Sequence, residues 1–528
     1  MKRSFFNIMM AGAVAVSTLA SCTKDLDRLP QNEITAEQVY ATPAGYKQAF
    51  AKVYGAFALT GNQGPAGNGD IQGIDEGFSD FLRLYWNAQE LPTDEAVIGW
   101  GDAGLPDFHN MSWGSNNPFL QGLYYRCYYQ ITLANDFIRQ SSDASLSSRG
   151  ITGNDAEEIR KYRNEARFLR AYQYSVLMDL FGNVPFITDA DALGSVLPRQ
   201  IQRGELFTWI ETELKELETV LADARANEYG RADKGAAWAL LARNYLNAQV
   251  YTGTARYNEA VTYSKKVIDA GYSLIPNYQH LMLADNHLNR DEFILTINYD
   301  GLSTQGYGGT TYLVHAAVVD GMDATRDFGI PSGGWFGLRT TKSLVQLFPV
   351  VDGTGDKRAQ FQRNKLEIDD VSKSSEGYGI RKFRNVNRDG SIAKNIDARG
   401  DFVSVDFPIF RLAEQYLIYA EAVLRGGTGG SQTLALQYIN DLRDRADASA
   451  VTSINTDFIL DERARELYWE GFRRTDLIRY NRFTTGTYLW PWKGGVRDGR
   501  AVEAFRSVYP IPASDVTANP NLEQNTGY

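Results

Sequence analysis

The sequence predicts a mainly α protein: a scaffold of tetratricopeptide-like helical pairs wound as an α superhelix, carrying an irregular region of loops and short strands. Three observations predict it. In RADKGAAWALLARNYLNAQVYTG (231–253), Trp238, Leu241 and Tyr245 fit the W-x2-L-x3-Y spacing of a tetratricopeptide first helix, with Ala242 in the small-residue position. The next segment puts Tyr257, Ala260, Val261, Ser264, Val267 and Ile268 on one helical face. Two antiparallel helices with small residues at their crossing are the unit of such arrays. Between about Tyr272 and Phe410 that periodicity gives way to β-like pieces and glycine-rich loops.

The elements follow in order. A helical pattern spans Ala36–Ala58, with a break expected at Pro43, and Gly61–Gly73 reads as a loop. Helical periodicity resumes at Phe119–Gln140 and at Ala156–Phe181, where Gly182 is the expected stop. After the 231–253 helix, the second helix of the pair ends at Gly271. FILTINYD, TYLVHAAVV and FVSVDFPIF are the β-like pieces of the irregular region. A second pair is expected at Leu412–Arg425 and Thr433–Ala446, joined by Gly426–Gly430. A last helix, LDERARELYWEGFRRTDLIRY (460–480), opens with acids and closes with basic residues, as the helix dipole favours. Its buried face is Ala464, Leu467, Tyr468, Gly471 and Phe472.

The N-terminus begins Met1-Lys2-Arg3, runs through a mostly apolar stretch to Leu19, and closes on Leu19-Ala20-Ser21-Cys22. A basic start, a short apolar run and small residues describe a secretory signal peptide, 1–21. The L-A-S-C pattern resembles the lipobox of bacterial lipoproteins, which implies cleavage before Cys22 and its lipidation. The apolar run is shorter than the roughly 20 residues a spanning helix needs. Residues 22–35 form a polar tether, and 36–528 are expected to make a single domain. The net charge of −10 becomes more negative once Lys2 and Arg3 leave, which argues against nucleic acid as a partner. With Cys22 carrying lipid, Cys127 has no disulfide partner and reads as a buried small hydrophobe in an aromatic helix.

Enzymatic motifs are missing. His109, His280, His287 and His315 have no paired metal spacing, and there is no G-x-S-x-G, Walker loop or H-E-x-x-H. Asp75-Glu76 and Asp94-Glu95 are the acid pairs a glycoside hydrolase would need, yet among 64 acids nothing in their spacing singles them out. Thr93-Asp94-Glu95 after Pro92 reads more simply as a turn or cap. Ala284–Glu292 (ADNHLNRDE) carries oxygen ligands for calcium without an EF-hand register.

One constellation is unusual. Trp100 lies in Gly99-Trp100-Gly101, Tyr307 in Gly306-Tyr307-Gly308-Gly309, and Trp335 in Gly333-Gly334-Trp335-Phe336-Gly337; Tyr378 in Gly377-Tyr378-Gly379 repeats the pattern more weakly. Glycines permit tight surface loops, and exposed rings there are costly unless they meet a ligand or partner. A pyranose offers a flat apolar C–H face that suits such a ring; packing of the rings within the loops is the alternative.

Several stretches carry a family resemblance: EARFLRAYQYSVLMDLFGNVPFI (165–187), the 230–253 segment, and ERARELYWEGFRRTDLIRYNRF (462–483). With the lipobox they resemble the SusD/RagB outer-membrane lipoproteins over nearly the whole chain. QELPTDEAVIGW, YGGTTYLV, FRLAEQYLIYAEA, YLWPWKGG and YPIPASD are similar, in the same order, to the starch-binding member. The resemblance implies a non-enzymatic, cell-surface protein that captures starch or maltooligosaccharide and delivers it, as a hinged lid, to a SusC-like TonB-dependent transporter in the outer membrane. It implies that Trp100, Tyr307 and Trp335 form an aromatic arc, with Asp75 and Arg83 as polar contacts. A further polar contact falls at Ala103, which cannot supply it. No cofactor and no metal are expected; calcium is the alternative, since the resemblance implies an acidic calcium-binding stretch that is altered here around His287.

Overall fold

The computed structural model describes residues 35–528 apart from 66, 192, 193, 195 and 196. The leader, Cys22 and nearly all of the tether lie outside the described residues.

Thr35 caps a single helical turn, and Thr42 caps α1 (Pro43–Gly55), so the proline expected to break the pattern sits at the first turn of a new helix. There follow α2 (Phe81–Glu90), α3 (Pro118–Gln140), α4 (Gly153–Phe181), α5 (Arg203–Val220), α6 (Lys234–Thr252) and α7 (Tyr257–Ile268). Gly182 ends α4 at φ 72°, as expected. Each helix from α3 to α7 packs on the next, and α7 packs on α9 (Leu412–Leu424), which packs on α10 (Gln432–Arg445). This succession is the helical superhelix the sequence predicts. The apolar stripe of α5 (Leu206, Phe207, Ile210, Leu214, Leu217) is buried between its neighbours. Sequence analysis passed over α5 and α2, although the α5 stripe has plain helical spacing.

In the α6–α7 pair, Leu241, Ala242 and Tyr245 are buried, whereas Trp238 is half-buried and donates from Nε1 to Glu218 at 2.8 Å. α7 stops at Ile268, three residues before Gly271, which turns the chain at φ 85°.

The irregular region is bracketed by an antiparallel strand pair, β2 (Phe293–Ile297) with β4 (Phe407–Arg411), once β1 (Val97–Ile98) and β3 (Leu338–Arg339) are counted. β1 and β3 themselves pair antiparallel. Two expectations fail here. TYLVHAAVV is no strand: residues Gly309–Ala316 form α8, buried along its whole length, so an apolar run without polar alternation was misread as β. The long last helix is two, α11 (Thr456–Leu467) and α12 (Arg473–Arg479). Between them Trp469 at φ 64° and Gly471 at φ 82° turn the chain. A side chain at Gly471 would meet the Tyr85 ring at 2.8 Å, so the kink is built by close packing on α2.

A buried ion network ties these parts together. Arg411 at the end of β4 reaches Glu470 (2.6 Å), Glu466 (2.7 Å) and Glu292 (3.0 Å). Arg445 of α10 also pairs with Glu292 and Glu466, Arg358 with Asp356 and Glu462, and Lys382 with Glu470. Every one of these charges is paired, which is the condition for tolerating them without water. Glu292 is thereby engaged, and Asn286 and Asn289 donate to backbone carbonyls, so much of the Ala284–Glu292 stretch serves the fold. No helix among the described residues is long and apolar enough to cross a membrane.

Candidate functional site

The site starts at Asp80, the cap of α2. Its Oδ1 accepts from Leu82 N (2.8 Å) and Arg83 N (3.2 Å), and also from Gly309 N (2.8 Å) at the start of α8. One carboxylate therefore caps two helices and pins the loop that carries Tyr307. Burial pushes its pKa up to about 6. Gly308 presses on it: a Cβ there would lie 2.1 Å from Asp80 Cβ. Sequence analysis missed Asp80, whose only local signal is that of an ordinary helix cap.

Arg83, one turn into α2, is buried, 3% exposed. Its Nη1 donates to the carbonyls of Gly77 (3.2 Å) and Tyr307 (3.1 Å). Its guanidinium lies 4.4 Å from the ring centroids of both Phe78 and Tyr312, and 5.7 Å from that of Trp100. Nε is buried without a partner. The group thus holds the Tyr307 loop from beneath. Asp75 is exposed; its Oδ1 accepts from Gly77 N at 2.9 Å. Ala103 is exposed beside Asp102, whose carboxylate, with those of Asp80 and Asp75, stabilises the charge on Arg83 against burial. Asp102 is a second polar candidate that the sequence did not single out, because acids are common in this chain.

The β1–β3 pairing sets the two tryptophans. Ile98 faces Leu338, and the ladder continues as Gly99 N donates to Gly337 O at 2.9 Å. Trp100 is thereby brought onto the Trp335 loop and donates from Nε1 to Trp335 O at 3.2 Å. Trp335 N in turn donates to His315 O (2.8 Å) and Gly337 N to Ala316 O (3.0 Å) at the end of α8. The Trp335 ring stacks on His315, centroids 4.7 Å apart at 23°. His315 is buried, its ring nitrogens 2.8 Å and 2.7 Å from the carbonyl oxygens of Gly333 and Asp401. Burial lowers its pKa, and the two carbonyls oppose that by favouring the protonated ring.

The three glycine-bracketed rings come together. Trp100 and Trp335 have centroids 6.3 Å apart at 47°, and Trp335 and Tyr307 6.3 Å apart at 54°. Trp335 is the middle of a curved row, each ring turned by about half a right angle from the last. Phe402 backs Tyr307 at 5.3 Å. All three are half-buried. Tyr378 is half-buried in a bridge with Thr340 and forms no ring pair with the arc.

Asp80, a carboxyl whose pKa burial raises, is taken up by three backbone N–H groups. Asp94 is buried in a 2.7 Å ion pair with Arg473 and Glu95 lies 3.7 Å from the same guanidinium, so that acid pair is structural; it sits in the turn expected, where Glu95 N donates to Thr93 Oγ1 at 3.2 Å. Cys127 is buried within α3, and burial pushes its thiol far above the usual range.

Residues 366–528 match the model of the SusD family, and 99–246 match one described as starch-binding, associating with outer membrane. The starch-binding protein SusD of Bacteroides thetaiotaomicron is 36% identical over 98% of this chain and 97% of that protein. SusD-like protein P2 of Formosa agariphila is 26% identical over 98% of each. Among solved structures, surface glycan-binding protein A from Bacteroides fluxus superposes with a TM-score of 0.70 at 21% identity, covering 92% of this chain and all of that one. A laminarin-binding SusD-like protein gives 0.71 at 21% identity, covering 92% and 99%. With a relative 36% identical over 98% of its length, the chain belongs to the SusD family of carbohydrate-binding proteins, which are not enzymes.

Proposed function

We propose that this protein captures starch or maltooligosaccharide on the Trp100–Trp335–Tyr307 arc and passes it to a SusC-like TonB-dependent transporter, held at the outer membrane through lipid on Cys22. The observation that carries the ligand reading is the turn of about 50° between successive rings. A flat glycan ribbon would touch one ring and leave the next; a strand that bends, as an α-1,4-glucan does, lays successive sugar faces on all three. The starch-binding relative at 36% identity supports the same ligand.

Asp75 and Asp102, exposed at the edge, accept from sugar hydroxyls. Arg83 Nη2 has no hydrogen bond among the described residues and supplies a donor, while its Nη1 positions Tyr307. If each sugar face covers ~50 Å² of ring, three faces contribute about 4 kcal/mol at 25 cal/mol per Å². The ordering of protein and sugar on binding cancels part of that gain, so the stacking by itself gives only weak binding. A capture protein that must also release its cargo is served by that weakness.

Calorimetry with maltooligosaccharide, laminarin, fructan and mucin glycan tests the reading. The expected result is preferential α-glucan binding that Trp335→Ala abolishes. Tighter binding of laminarin, the ligand of one solved neighbour, would replace starch by a β-glucan; α-glucan binding unmoved by the substitution would remove the arc from the site.

A further inference from the structure

Among the described aromatic side chains Phe336 alone is exposed, at 47% of its surface. Its backbone is also left-handed, φ 56°, a region that costs free energy for any residue with a bulky side chain. The strain is imposed from both sides. Trp335 N and Gly337 N are tied to the carbonyls of His315 and Ala316, and Gly337 O accepts from Gly99 N and from Arg339 Nη1 at 3.0 Å. Trp335 O holds the Trp100 indole. The fold therefore spends hydrogen bonds on presenting a purely apolar ring to solvent, and such an outlier points to a role outside the folded chain.

Its neighbours say which role. Trp335 is the central ring of the arc, and Gly337 is the seat of the Trp100 ring: a Cβ on Gly337 would lie 2.5 Å from Trp100 Cε2. Phe336 stands in the chain between the residue that bears the central ring and the residue on which the Trp100 ring rests. Phe336 forms no ring pair with either. Lacking the polar tip of Tyr or Trp, it suits an apolar face such as the C–H face of a sugar.

We propose that Phe336 is a fourth glycan-contacting ring, which takes the C–H face of a glucosyl residue beyond those seated on the three rings of the arc. The inference rests on the arc being the α-glucan site. It makes Phe336 a reader of chain length: a short glycan fills the arc without reaching it, and a longer strand gains the additional contact.

Calorimetry of wild type, Phe336→Gly and Trp335→Ala with maltotriose and with maltoheptaose tests it, beside thermal melts. The expected result is that Phe336→Gly weakens maltoheptaose about tenfold and maltotriose by less than about twofold. Its Tm is unchanged or higher, because glycine occupies the left-handed region without strain. A lower Tm with maltoheptaose affinity intact would show a packing role and overturn the proposal, as would equal losses for both sugars. Wild type that binds no α-glucan defeats the functional reading itself. α-Glucan binding lost in Trp335→Ala but intact in Phe336→Gly defeats only the role of Phe336.

Discussion

Gly337 shows how finely the site is set at the scale of single residues. The Trp100 ring rests where a Cβ of residue 337 would stand, 2.5 Å from Cε2 and 2.6 Å from Cζ2. Gly334 is similarly pressed against Val318, and Gly308 against Asp80. The glycines around the rings are thus more than loop-formers: Gly337 gives the Trp100 ring its seat, and Gly334 and Gly308 let their loops close on Val318 and Asp80. Gly337→Ala should tilt Trp100 out of the arc at an overpacking cost of about 1–3 kcal/mol. We expect a fall in α-glucan affinity of roughly tenfold in calorimetry with the helical circular-dichroism signal unchanged; wild-type affinity would show that the ring has another seat. Which aromatics to suspect was legible in the glycine brackets. That they meet was not, since Trp100 and Trp335 are joined by a hydrogen bond across 235 positions. Nor was the depth of Arg83, whose burial is decided by Phe78 and Tyr312 from other elements.

At the scale of elements, the turn between α11 and α12 is held by the end of α2. Glu90 Oε1 accepts from Gly471 N (2.6 Å) and Phe472 N (3.2 Å), and Glu95 Oε2 from Trp469 N (3.1 Å). Burial pushes the Glu90 carboxyl up to about 7, and burial together with the neighbouring Glu90 charge pushes Glu95 well above the carboxylate range; Glu90 Oε2 is buried without a partner. A carboxyl whose folded pKa exceeds its unfolded value stabilises the fold below the unfolded pKa, and that contribution is lost as pH rises through the folded one. For Glu90 the window runs from 4.5 to about 7. Glu90→Gln keeps an oxygen for Gly471 and Phe472 and offers Glu95 a permanent donor. Its Tm relative to wild type should therefore rise between about pH 5 and about pH 8. A difference independent of pH in scanning fluorimetry would show that the pair shares no proton. Sequence analysis read 460–480 as one helix because its apolar spacing continues through Gly471. The kink arises from contact with Tyr85 and Glu90, far away in sequence.

At the scale of the whole molecule, a rigid superhelix holds a loop-built site through charges that are buried and paired. Breaking such a pair leaves an uncompensated charge, typically at a cost of 3–5 kcal/mol. The proposed anchor would hold the body at the outer membrane. Cys22→Ala should move the protein from the membrane fraction to the soluble fraction with α-glucan affinity unchanged; continued membrane association would rule out lipid on Cys22 as the tether.

The sequence by itself determined the helical-pair scaffold, the bracketed rings and the family, because helical periodicity, glycine placement and long shared motifs are written in neighbouring residues. Only the tertiary structure decided the curvature of the arc, the buried station of Arg83, the helix at Gly309–Ala316 and the strained exposure of Phe336. Each of these depends on which distant backbone or ring fills the space beside a residue, and close packing between remote segments leaves no local periodicity to read.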